Sequence, residues 1–394
     1  MPSAEVNRNS VHLSRLHAAV QAYSEYSVNL CVNSNTSNQT TGLKRLLATA
    51  IALIAWFIAS QKARAEDLWG HDNLFAWGAA PFDAKNRGPE ERAQMLQQLG
   101  FKQIAFNWRP KNIPLFETEI ETLKTHGIRI IAWALYMVDD PETKVNWKDY
   151  KVAQVFKSES SIGEELSLEE LLKIFQRHQI QPQLWLNQHP RPPKGASKWE
   201  SMSGNEVTRA MNEYWREDLP QTAEKQELRI RQEADRIAPL ATLAAHYGVK
   251  VELYNHNAWF GMIENQLAVI QRLRSRGVDG VGVVYNFDHA RDDLHDDTAH
   301  FPALWAQIKP YVVAINVSGT VAEPMHLYPS QGDRELEMMR IIEQSGWEGP
   351  VGLNTETGGD AELTLGNCLL GLDWLAAELK RPGSAGRRPF PSIQ

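Results

Sequence analysis

Beyond residue 65, short apolar runs alternate with stretches in which apolar residues recur at helical spacing. The runs predict strands at Asn73–Gly78, Gln103–Asn107, Arg129–Leu135, Gln183–Leu186, Lys250–Asn255, Val281–Asn286, Val312–Val317 and Pro350–Leu353. The periodic stretches predict helices at Pro89–Leu99, Leu115–His126, Leu168–Gln179, Gln221–Tyr247, Ile263–Arg276, Pro302–Ile308, Arg334–Ser345 and Ala361–Leu379. Gly100, Gly127, Gly248, Gly277 and Gly346 each fall between a helix and the next strand, where a left-handed C-cap turns the chain. This βαβα rhythm implies an α/β protein with a parallel sheet, and eight units imply a single-domain (β/α)8 TIM barrel over 66–380. A doubly wound sheet is the alternative, but no Gly-rich phosphate loop follows the first strand.

Two long connections interrupt the rhythm, Val138–Leu166 after the third strand and Asn187–Leu219 after the fourth. Both leave strand C-terminal ends, where barrel active sites are built, so each reads either as a lid or substrate wall or as decoration. The tail 381–394 is basic, rich in Pro and Gly and without period, and is expected to be disordered. Ahead of the barrel, Lys44-Arg45, the apolar run Leu46–Ala59 and Ala63-Arg64-Ala65 stand in the order of a signal peptide. A signal over 43–65, cleaved to leave Glu66 first, implies export to the periplasm or medium with no stable membrane span in the mature chain. Residues 1–42 form a Ser/Asn/Thr-rich pre-sequence, either disordered or placed before the true start.

Charge narrows the partners. The six cations of the first 65 residues outnumber Glu5 and Glu25 by four, so a total formal charge of −7 leaves −11 on the rest. An acidic body argues against nucleic acid or an anionic membrane surface and suits a small neutral substrate. Thirteen Trp supply either core packing or faces for sugars to stack on. Of the two cysteines, Cys31 lies in the leader, so Cys368 has no partner for a disulfide within the barrel.

The predicted strand ends carry Trp77, Asn107, Trp133, Asn187, Asn255, Asn286, Asn316 and Asn354, with Glu252, His256, Trp259, His289 and Glu356 close by. Amides and carboxylates hydrogen-bond sugar hydroxyls, and indoles cover the apolar sugar face. Trp77, Asn107, Trp133, Asn187, Asn255, Trp259, Asn286, Asn316 and Asn354 are therefore the candidate substrate-binding residues. No nucleophile elbow is present. Glu252 and Glu356 could pair for glycoside hydrolysis if their carboxyls lay about 5–10 Å apart.

The segment Val251-Glu252-Leu253-Tyr254-Asn255-His256, followed by Trp259 and Glu264-Asn265, resembles the fifth-strand region of xylose isomerase-like TIM barrels. Val281–Asn286 with Phe287-Asp288-His289, then Tyr311–Thr320 and Val351–Asn354, resemble the strands that follow. The resemblance implies a sugar isomerase, epimerase or lyase that removes a proton next to a carbonyl. It also implies a metal set of Glu, Asp, His and Glu on strands five to eight. The matching positions here are Glu252, Asn286, Asn316 and Asn354, three of them neutral amides. A rearranged set of Glu252, His256 and His289 would suit Mn²⁺ or Zn²⁺, with Mg²⁺ the ion of the conventional set. Glu252, Glu356 and His256 are the implied acid/base residues. A non-catalytic carbohydrate-binding barrel is the competing expectation. Oligomeric state is not readable from the sequence.

Overall fold

The computed structural model describes residues 68–393 apart from 141–142, 154–165, 191–218, 257, 291–297, 322–325 and 356–358. Residues 1–67, about half of the connection 138–166, most of the connection 187–219 and Glu356 lie outside the described residues. Eight parallel strands close in sequence order into a barrel, the last pairing back onto the first. They are β1 Leu74–Trp77, β2 Gln103–Phe106, β3 Arg129–Asp139, β4 Gln183–Pro190, β5 Val251–Tyr254, β6 Val281–Asn286, β7 Val312–Val317 and β8 Val351–Asn354. The principal helices are α1 Pro89–Gln98, α2 Phe116–Thr125, α3 Leu168–Arg177, α4 Ala223–His246, α5 Ile263–Ser275, α6 Phe301–Ile308, α7 Glu335–Gln344 and α8 Ala361–Lys380. The chain is therefore a (β/α)8 barrel, as its pattern predicts. No helix among the described residues is long and apolar enough to cross a membrane.

Local chemistry sets the boundaries. Ser167 caps α3 in a capping box, taking the Glu170 N–H while Glu170 reaches back to the Ser167 backbone. The five predicted C-cap glycines all have positive φ. After α3 that place is filled by Gln179, at φ 53°, a left-handed conformation that disfavours a side chain.

β3 and β4 run further than expected, past Leu135 and Leu186, and stay paired up to Asp139 and Pro190. The polar residues that mimic a loop here have partners on both sides of the sheet. Tyr136 and Asn187 share one register position on the inner side. On the outer side Arg236 of α4 donates to Asp140 O at 2.5 Å, to Gln188 Oε1 at 2.9 Å and to both Glu233 oxygens. A buried Glu–Arg–Gln network thus braces the extended ribbon.

The barrel interior is aromatic. Trp185 of β4 meets Phe75 and Trp77 of β1 at ring separations of 5.5 and 5.1 Å, and Tyr254 of β5 meets Trp77 at 5.4 Å. Strands β1 and β4 are not neighbours in the sheet, so these rings meet across the interior. Glycines make the room. A Cβ on Gly352 would fall on Asn316 Oδ1 and the Phe75 ring, and one on Gly282 would come within 2.5 Å of Glu252 Oε2.

The tail expected to be disordered packs against the barrel. Arg388 lies over the Trp374 ring and donates to Gly332 O, Phe390 meets Tyr328, and Ile393 N donates to Gln331 O. A basic and an aromatic residue without periodicity thus find fixed partners on α8 and on the segment after β7.

Candidate functional site

The inward residues follow from strand alternation. Tyr254 faces the interior, so Glu252, two residues earlier, faces it one layer deeper. Glu252 is 1% exposed, and its Oε2 has no hydrogen-bond partner among the described residues. Burial pushes its carboxyl up to about 8, against the opposing pull of the Gly282 backbone and the Lys250 charge. The sequence places Glu252 at the site as base or ligand. The structure places it below Tyr254, because its side chain enters the barrel one layer short of the mouth.

The mouth above β5 and β6 is built on Tyr254, which is 1% exposed. Its phenol oxygen accepts from Asn286 Nδ2 at 2.6 Å and, less closely, from Asn316 Nδ2 at 3.4 Å. Asn286 also caps the turn Phe287–His289, its Oδ1 accepting the Asp288 N–H at 3.1 Å. That turn brings the buried His289 ring within 6.1 Å of Tyr254 and 4.8 Å of the His256 ring. His256 is held by its own backbone, which donates to Tyr254 O at 2.8 Å and lies against Gly261 so closely that a Cβ there would come 2.7 Å from the His256 carbonyl carbon. The result is two imidazoles over a phenol supported by two amides. Asn316 Oδ1 is buried and has no hydrogen-bond partner among the described residues.

Other predicted site residues take different places. Trp133 points away from the interior and packs against Phe116 of α2 and Phe175 of α3 at 4.8 and 5.1 Å. Trp259 also faces a helix, donating to Gln226 Oε1 at 2.7 Å beneath the Arg229 guanidinium. Both indoles are thus engaged by helices, Trp133 by α2 and α3 and Trp259 by α4. The Asn255 amide is taken up by the backbone of Asn286, donating to its carbonyl and accepting its N–H, and so extends the β5–β6 ladder. Asn187 donates to Trp185 O at 3.0 Å. Asn107 accepts the Tyr136 hydroxyl, and Asn354 is buried at the end of β8. Trp77 lies in the interior aromatic layer, its indole N–H buried without a hydrogen-bond partner among the described residues.

The segments after β1 and β8 are locked together. The Asp83 carboxylate accepts N–H groups from Lys85, Arg87 and Ala361, and Arg87 bridges it to Asp360 and Glu362. Burial opposes ionisation of Asp83, but these N–H groups and Arg87 outweigh it and hold the carboxyl below its usual range. Lys85, with Arg87, brings Asp360 down to about 2.

The expected metal set does not assemble. Among the described residues no group of three His, Cys, Asp or Glu side chains converges to hold an ion. Glu252 sits a layer below His256 and His289, and the remaining strand ends offer amides and a phenol. The donors among the described residues do not fit Mn²⁺, Zn²⁺ or Mg²⁺.

Two residues that matter here are not singled out by sequence. Tyr254 lies inside the segment Tyr254-Asn255-His256, and its alternation with Glu252 marks it as inward. His326 lies against Asp288, and no spacing in the chain signals that pairing.

No protein-family model matches the chain, and no curated protein matches it. Solved structures of similar fold include the IolI protein with a bound zinc atom, 11% identical, covering 78% of this chain and 98% of that one at a TM-score of 0.49. A xylose isomerase-like TIM barrel protein from Mycobacterium smegmatis in complex with magnesium is 14% identical over 78% and 97% of the chains, TM-score 0.47. The E. coli 3-keto-D-glucoside 4-epimerase is 13% identical over 77% and 98%, TM-score 0.46.

Proposed function

We propose that this barrel is a sugar isomerase or epimerase-like enzyme that removes a proton next to the carbonyl of a non-phosphorylated sugar or keto-sugar. The observation that carries the reading is the pair His256 and His289, 4.8 Å apart over Tyr254 at the C-terminal end of the barrel. An imidazole exchanges protons near neutral pH, which suits it to take a proton from carbon and return it. The enolate oxygen that forms needs a hydrogen-bond donor. With Asn286 and Asn316 donating into its oxygen, the Tyr254 hydroxyl is arranged to donate onward to that oxygen. The buried aromatic floor lowers the local dielectric and strengthens that hydrogen bond. Lyase chemistry by β-elimination from a keto-glycoside begins with the same proton loss. Export, if the leader directs it, would present the barrel with free sugars and glycosides.

A second reading, a carbohydrate-binding barrel without turnover, is favoured by one observation: the lack of a three-donor cluster among the described residues. Incubation with ketoses and keto-glycosides in D₂O, followed by proton NMR, separates the two. Loss of the signal beside the carbonyl, slowed about 10²–10³-fold in Tyr254→Phe, supports the enzyme. Saturable binding with no exchange in any sugar supports the binding module.

A further inference from the structure

An imidazole–carboxylate pair stands beside this site and plays no part in the chemistry above. Asp288 lies in the turn Phe287–His289, and its side chain is 4% exposed. Its Oδ2 is 2.6 Å from Nδ1 of His326, whose side chain is 52% exposed. The described parts of the segment after β7 are well fastened. Gly319 N donates to Leu327 O at 3.0 Å, directly beside His326 in space and chain. The buried Glu335 carboxylate accepts Thr320 N at 3.1 Å and Gly332 N at 3.0 Å. Thr320 Oγ1 lies 3.5 Å from Phe287 O, so a side chain of one segment that carries the pair reaches the backbone of the other.

A surface ion pair normally leaves both partners in water, where it contributes little to stability. Here the carboxylate is sunk into the fold and the imidazole is half in solvent. A carboxylate on Nδ1 holds the imidazole proton there and leaves the lone pair of the neutral ring on Nε2. The neighbouring residue His289 already faces the mouth. The pair therefore presents an oriented proton carrier beside the turn that holds His289, at the catalytic end of the barrel.

We infer that Asp288 and His326 form a second proton-transfer pair, with His326 Nε2 as a catalytic acid/base and Asp288 as its positioning residue. The inference rests on the proposed function. The carbon–hydrogen bond breaks as the His256–His289 pair takes the proton, leaving an imidazolium and an enolate. A protonated His326 then forms the new bond to the same carbon from the other face. The imidazolium loses its proton to water and His326 regains one from water, so no oxidant or reductant is needed. The product is inverted at that carbon, which makes the substrate a sugar epimerised beside its carbonyl.

The test uses the full chain with a sugar that exchanges in D₂O, and follows deuterium uptake and configurational inversion together. In His326→Gln, inversion falls at least about a hundredfold while deuterium uptake stays within about tenfold of wild type. Asp288→Asn shows the same split in weaker form, and imidazole restores inversion to His326→Gly. A merely structural latch would lower both rates together. Inversion unchanged in His326→Gln, or inversion and uptake falling in parallel, overturns the assignment while leaving the proposed function standing. No deuterium uptake by the wild type overturns the proposed function, and this assignment with it.

Discussion

Replacing Glu252 by Gln removes one ionisable group from the barrel interior and keeps its shape. The folded chain holds this carboxyl at about 8, whereas an exposed glutamate ionises near 4.5. Below 4.5 both states are protonated and burial of the group carries no penalty from ionisation. Between 4.5 and 8 the unfolded chain loses the proton and the folded chain keeps it, so the folded state loses relative stability as pH rises. The shift of about 3.5 pH units corresponds to about 5 kcal/mol across that window, at about 1.4 kcal/mol per unit. The amide introduced by Glu252→Gln cannot ionise and would not share this loss. Urea denaturation followed by tryptophan fluorescence, run from pH 4.5 to 8 on both proteins, gives the difference between them. The stability of Glu252→Gln relative to wild type should rise with pH by about 5 kcal/mol and level off above 8. A flat difference across the window would refute the account and place the carboxylate in water or against a cation.

Three other substitutions probe the packing. Gly352→Ala puts a methyl group onto Asn316 Oδ1 and the Phe75 ring and should destabilise by about 1–3 kcal/mol, read as a lower Tm. Trp133→Ala removes a side chain packed between β3 and α2 and α3. It should cost about 3–5 kcal/mol in thermal or urea unfolding, with sugar affinity unchanged by isothermal titration, since the indole does not face the mouth. Arg236→Met strands the buried Glu233 carboxylate and frees the β3–β4 ribbon. It should cost about 3–5 kcal/mol, and the ribbon amides should lose hydrogen-exchange protection ahead of the other strands.

The barrel is written plainly in the chain because each βα unit repeats the same pattern of apolar run, helical period and closing glycine. The limits of β6 and β7 match the observed strands residue for residue. β3 and β4 outrun their predicted ends because Tyr136, Asn187 and Gln188 look like loop residues until Asn107, Glu233 and Arg236 are seen beside them. The site is less legible for a related reason. In a parallel barrel both faces of every strand are buried, so hydrophobicity does not separate inward from outward residues. Along β3 the small residues Ala132 and Ala134 face in and the large Trp133 faces out, and only the rings of α2 and α3 reveal it. Along β5 the parity is what a search for carboxylates assumes, but the depth is not: Glu252 faces in a layer below the mouth, and the phenol two residues on reaches it. The tail shows the same limit, since Arg388 and Phe390 carry no pattern and are ordered by Trp374 and Tyr328.

The central claim is that the imidazoles over Tyr254 move a proton between sugar carbon and water. Deuterium incorporation into a ketose or keto-glycoside in D₂O tests it directly, with wild type beside His256→Ala, His289→Ala and the double variant. The account predicts uptake by the wild type at the carbon next to the carbonyl. It predicts a fall of about 10²–10⁴-fold when the acting histidine is removed, and no further large loss in the double variant. Equal uptake in all four proteins would contradict it and move the chemistry away from the mouth between β5 and β6.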